Sequence, residues 1–118
     1  MGKDLHYLII KFFQERMNEH NKVMSYFKLH DDSDILYFIE RVQGLPDLTV
    51  HLSDAYRYTL HDYYSKPSSV NAGGFVLIAR PEAKFDDSLV EVAAQDKIGI
   101  GKIGKFLGAL NRINVWTY

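Results

Sequence analysis

At 118 residues, with a formal net charge of −1, 47% hydrophobic and 25% charged residues, the chain has the size and balance of one globular domain, 1–118. That balance excludes whole-chain disorder and a polycationic domain, so any nucleic-acid contact must come from a local patch. The absence of cysteine removes disulfides, thiolate zinc sites and cysteine nucleophiles. It also suits a reducing compartment. No apolar run approaches the roughly 18 residues that a membrane span needs, and no signal-peptide cleavage pattern is present. A cytoplasmic protein without a membrane partner is therefore expected.

In chain order, Leu5, Leu8, Ile9, Phe12 and Phe13 recur at three and four, which predicts an amphipathic helix that fades near Asn18. Val23 to Leu29 is apolar and fits either a continued helix or a short strand, one that could serve as an interface. Asp31, Asp32, Ser33 and Asp34 offer N-caps. Ile35, Leu36, Phe38, Ile39 and Val42 then predict a second helix, stopped by Gly44 and Pro46. Residues 1–44 thus read as a helical N-terminal part.

From Leu48 the period becomes two. Leu48, Val50 and Leu52 alternate with polar residues, and so do Tyr56, Tyr58 and Leu60, predicting two strands. Residues 65–74 form a Ser-, Pro-, Asn- and Gly-rich loop. Phe75 to Ala79 is a continuous apolar run that predicts a strand buried on both faces and ended by Pro81. Ser88 and Glu91 have capping-box spacing, predicting helical turns to about Gln95. Ile103, Phe106, Leu107 and Leu110 predict a last helix, and Ile113 to Tyr118 a final strand. The expected fold is α/β, in two or three layers: two N-terminal helices, then a β-β-β-α-β mixed sheet over 48–118.

The glycines at 99, 101 and 104 match nucleotide-loop spacings, but neither motif is complete. No acidic residue stands about 20 positions on, and Phe106 replaces the hydroxyl that would hold magnesium. These small residues suit a helix lying close against the sheet. Lys102 and Lys105 beside the helix start are expected to act as phosphate contacts. A cationic amphipathic membrane helix is the remaining reading of this segment.

Pairing the run 55–64 with 75–80 as a hairpin puts Glu82 opposite about Tyr56 and Lys84 opposite about Asp54. Asp54, Glu82 and Lys84 then gather at one edge of the sheet, while Asp62 falls near Val76. Two carboxylates and a lysine suit metal-assisted phosphodiester hydrolysis. Mg²⁺ takes oxygen ligands and keeps several waters, the metal activates a water, and the ammonium offsets developing charge. The competing reading is a turn in which Arg80, Glu82 and Lys84 face water in weak ion pairs.

Through these residues Leu48 to Tyr118 resembles the PD-(D/E)XK, or restriction-endonuclease-like, family. The family's acid falls on Asp54 and its Glu-x-Lys on Glu82-Ala83-Lys84. The resemblance implies a Mg²⁺-dependent nuclease with catalytic residues Asp54, Glu82 and Lys84, in which Asp54 and Glu82 hold the metal. Its partners would be DNA or RNA, and a homodimer would enclose a duplex. Tyr63 and Tyr64 near the loop are the exposed stacking candidates, whereas Tyr56 and Tyr58 share a face with Leu60 and read as core. His51 and Asp54, three apart on a strand, are expected to point to opposite faces. The alternative function is a non-catalytic regulator or immunity-like inhibitor that binds a protein partner.

Overall fold

A computed structural model describes residues 7–30 and 35–118. The first helix, α1 (Tyr7–Glu19), forms where the periodicity predicts it. Ile9, Ile10, Phe13 and Met17 turn inward, while Leu8 and Phe12 stay 60% and 44% exposed. Leu5, and the acidic cap residues 31–34, lie outside the described residues.

The ambiguous segment becomes a strand, β1 (Val23–Lys28). The predicted second helix is corrected: residues 36–41 form β2 (Leu36–Arg41), antiparallel to β1. Its apolar residues serve two faces, with Tyr37 and Ile39 in one core and Leu36 in the other. An apolar run buried on both sides has no single stripe. Its spacing therefore cannot separate helix from strand, and the aromatic and β-branched residues tip it to strand. Gly44, at φ +94°, is not a helix stop but part of the turn into β3 (Leu48–Ser53). β2 and β3 pair antiparallel, Ile39 against Leu48.

After β3 the expected hairpin does not form. The run 55–64 divides into a two-residue strand, β4 (Arg57–Tyr58), and a short helix, α2 (Leu60–Tyr64). Thr59 explains the division. Its hydroxyl accepts from the Asp62 N–H while the Asp62 carboxylate accepts from the Thr59 N–H, a reciprocal cap that nucleates helix. The next strand, β5 (Phe75–Ile78), then lies parallel to β3, Val50 beside Phe75 and Ser53 beside Ile78.

A second two-residue strand, β6 (Lys84–Phe85), pairs parallel with β4 outside the main sheet. The helix α3 (Asp87–Gln95) ends where expected, but its N-cap is Asp86, not Ser88. β7 (Gly99–Gly101) pairs parallel with β5 and was hidden in the glycine-rich stretch. A Cβ on Gly99 would meet the Phe75 ring at 2.4 Å, and one on Gly101 would meet Lys105 Cδ at 2.6 Å. The strand has room only for glycine at Gly99, against a buried ring. Last come α4 (Ile103–Ala109) and, in place of the predicted final strand, a 3₁₀ turn at Val115–Thr117.

The result is an α/β fold with a mixed five-stranded sheet in the order β1-β2-β3-β5-β7. The two parallel steps move the same way across the sheet, so crossovers of one hand put α2 and α3 on one face. Tyr63, Leu89 and Ala93 pack there on Val76, Ile78 and Ile100. On the other face Phe13, Met17, Phe106 and Leu110 from α1 and α4 pack on Tyr37, Val50, Leu52, Phe75 and Leu77. The Phe106 ring lies 4.9 Å from Phe75 and 6.2 Å from Phe13. Each such buried side chain contributes roughly 1.5–3 kcal/mol.

One charged residue belongs to this framework. Arg41, at the end of β2, is only 4% exposed. Its Nε donates to the Pro46 carbonyl at 2.6 Å, and NH1 to the carbonyls of Leu110 and Arg112 at 2.9 and 2.6 Å. NH2 reaches the Ile113 carbonyl at 3.3 Å. One guanidinium thus closes the β2–β3 turn and caps the carbonyls after α4, which holds 112–113 away from a strand path. Arg41→Ala is expected to lower the unfolding free energy by about 3 kcal/mol or more, because several carbonyls lose their donor at once. Arg41→Lys should recover only a minor part, since a point ammonium cannot span the four acceptors. Urea unfolding followed by circular dichroism checks both. A loss under about 1 kcal/mol for the alanine variant would contradict this role.

Candidate functional site at the carboxyl ends of the parallel strands

In open α/β sheets, ligands bind beyond the carboxyl ends of the parallel strands. Here those ends are Ser53, Ile78 and Gly101, and the residues that follow them meet. Arg80, two past β5, donates from Nε to the Asp54 carbonyl at 2.6 Å. Its guanidinium lies over the Tyr56 ring, 4.4 Å from the centroid, and its NH1 stands 3.9 Å from a Glu82 carboxylate oxygen. The Lys84 N–H donates to the Tyr56 carbonyl, placing Lys84 beside Arg57. From the third strand, Lys102 Nζ donates to the Pro81 carbonyl at 2.7 Å.

Asp54, Glu82, Lys84 and Lys102 therefore sit around one short loop, 79–84, but by a different route from the one expected. A hairpin would have placed Lys84 opposite Asp54. Parallel pairing with a crossover instead sets Lys84 level with Arg57. Two strands running the same way end at the same edge, so the residues after each still meet. The Lys105 stem packs over Gly101, and burial lowers its pKa while the charge of Asp87 raises it.

The aromatics exchange places. Tyr56 is 64% exposed and Tyr58 is buried, so the two do not share a core face. Tyr63 is also buried, its hydroxyl donating to Asp96 at 2.6 Å, and only Tyr64 of that pair faces water. Burial first, then the hydrogen bond to Asp96, pushes the Tyr63 pKa up. Arg80 and Tyr56 are the functional candidates that sequence reasoning missed. The available signal was a charged residue directly ending a fully apolar strand.

His51 is half-buried on the α2/α3 face between Leu36 and Val76, with its Nδ1 covered and without a hydrogen-bond partner. Burial lowers its pKa, and the charge of Asp54 partly opposes the shift. Asp54 lies past the end of β3, so the opposite-face rule for strand residues does not separate the two. His20 shows the quieter use of an imidazole: Nδ1 accepts from the Lys22 N–H, and Nε2 contacts the Leu107 carbonyl at 2.9 Å.

For magnesium, the donor set is two carboxylates, enough in kind for an ion that keeps most of its waters. The Arg80 guanidinium, however, holds the Asp54 carbonyl and stands against Glu82. Among the described residues no group of three or more His, Asp or Glu is placed to hold a metal. With that cation in position the edge carries positive charge beside both acidic residues, and a metal held by Asp54 and Glu82 would need Arg80 to turn away. No helix among the described residues is long and apolar enough to cross a membrane. No family model, curated protein or solved structure matches the chain.

The half-buried His51 gives a pH dependence of known sign. Its pKa is lower in the folded state, so the unfolded chain binds the proton more tightly. Stability is therefore full above about pH 6.5 and falls as the pH drops toward the folded value. His51→Leu should flatten that acid limb, measured as urea midpoints between about pH 5 and pH 8. Equal slopes for the two proteins would show that His51 is not the group responsible.

Proposed function

We propose that this chain acts on nucleic acid, holding phosphates at the carboxyl ends of β3, β5 and β7. One observation carries the reading. Arg80 and Lys84, in the stretch after β5, and Lys102, after β7, lie near an exposed tyrosine at one edge. Lysine and arginine supply the phosphate contacts, and Tyr56 backed by a guanidinium offers a face on which a base can stack. With the whole chain at −1, binding would depend on this patch and weaken steeply with salt.

A second reading is the Mg²⁺-dependent nuclease that the resemblance implies, with Asp54 and Glu82 as ligands and Lys84 as charge stabiliser. It is favoured by the nearness of both acidic residues to one guanidinium. Over Leu48 to Tyr118, where the resemblance is drawn, the elements run β3, β4, α2, β5, β6, α3, β7, α4 and not β-β-β-α-β, which counts against it. Also against it, Glu82-Ala83-Lys84 lies off the five-stranded sheet, not inside an apolar strand, and Arg80 would have to turn away. Phosphate binding without cleavage is the better supported of the two.

Fluorescence anisotropy with labelled single- and double-stranded DNA and RNA tests the proposal. Binding should be salt-dependent. Arg80→Ala, Lys84→Ala and Lys102→Ala should each reduce the slope of log K against log salt by about one. Tyr56→Ala should weaken single-strand binding by about 1–3 kcal/mol. If no nucleic acid binds at low salt, or the cation variants bind like the parent, the assignment fails. Cleavage that requires Mg²⁺ or Mn²⁺ and disappears in Asp54→Ala and Glu82→Ala, with folding intact, would establish the nuclease reading instead.

A further inference from the structure

Beside the cationic edge, on the α1/α4 face, lies a second feature that phosphate binding does not use. It is an apolar cavity of about 310 Å³. Its floor is Phe13, Leu52 and Leu77, and its rim includes Leu8, Phe12 and Ile103. Two further lining residues, Ala79 and Pro81, belong to the loop that carries Arg80. Every lining residue is apolar. Helix α1 leaves Leu8 and Phe12 largely exposed above the opening, although its own core stripe passes through Phe13. The cavity is thus at the carboxyl ends of β3 and β5, but on the sheet face opposite α2 and α3.

We infer that this cavity binds a small amphipathic anion: an aliphatic or arylalkyl chain bearing one carboxylate. Three observations converge on that chemistry. The volume, about 310 Å³, falls at the small end of the range for small-molecule sites, about 300–1,000 Å³. The walls offer no polar group to satisfy, so the inserted body must be apolar. At the rim, the Lys102 ammonium sits 2.7 Å from the carbonyl of Pro81, and both Pro81 and Ile103, the neighbour of Lys102, line the cavity. Among the described residues, a head group emerging there meets the Lys102 ammonium, and no carboxylate lines the cavity. Lys102 would exchange a neutral carbonyl for a carboxylate, a stronger charge-assisted partner.

Octanoate and its neutral isostere octanamide are the probes, titrated into ¹⁵N-labelled full chain and followed by amide shifts. Octanoate should saturate one site and move the amides of Leu8, Ile9, Phe12, Ala79 and Ile103. Octanamide should bind about five-fold more weakly, and Lys102→Gln should remove that difference. Ala79→Phe fills the cavity and should abolish binding. Leu8→Asp, on the exposed rim, should weaken octanoate about ten-fold and carries the test if the filled variant does not fold.

The cavity shares Lys102 with the proposed phosphate edge but not Arg80 or Lys84, so Arg80→Ala and Lys84→Ala, which should weaken nucleic-acid binding, should leave octanoate affinity unchanged. Four results overturn the inference: no saturable binding, equal affinity for acid and amide, shifts mapping elsewhere, or insensitivity to Leu8→Asp. Concentration-dependent dimerisation that blocks octanoate would also overturn it, because a second copy would then be the occupant.

Discussion

Two parallel neighbouring strands cannot be joined by a tight turn, so the chain between Ser53 and Phe75 must leave the sheet, cross one face and return. That constraint sets the rest of the molecule. It makes α2 and the long loop a crossover, commits α3 to the same face on the next step, and leaves α1 and α4 to cover the other. It also brings the carboxyl ends of β3, β5 and β7 to one edge, where successive residues from distant parts of the chain meet around loop 79–84. The candidate site and the apolar cavity both follow from that one pairing.

The two arginines at strand ends show how the same side chain serves different purposes. β2 runs against β3, so Arg41 lies at the end of the sheet opposite Arg80. Arg41 is buried and gives its N–H groups to four backbone carbonyls, with only the Asp47 charge opposing the effect of burial on its pKa. It fixes a turn and a helix end. Arg80 gives Nε to one carbonyl and otherwise stacks on an exposed ring beside a distant carboxylate. A surface ion pair at 3.9 Å is weak, so a phosphate could displace Glu82 at little cost.

Several elements were legible because one physical signal dominated each. The α1 stripe, the alternation of 48–53, the run Phe75 to Ile78 and the last helix all formed where the period required. The failures came where two signals coincided. Residues 35–42 satisfy a helical spacing because they are apolar on both strand faces. Residues 55–64 alternate like a strand, yet the Thr59–Asp62 cap converts their second half to helix. β7 was masked by glycines whose cause, the ring of Phe75, is 24 residues away in sequence.

For the site, the hairpin expected to gather Asp54, Glu82 and Lys84 does not exist, and parallel strand pairing sets the residues after β3, β5 and β7 around loop 79–84 instead. The sequence alone determined the α/β class, the positions of the strongest elements and the supply of acids and cations near strand ends. These are local consequences of side-chain period and turn chemistry. Only the tertiary structure decided which strands pair and in which direction, and with that which tyrosine is exposed, that the Lys105 stem packs over Gly101, and that Arg80 stands at the centre. Strand pairing joins residues far apart in the chain through backbone groups common to every residue, so a one-dimensional pattern carries little of it.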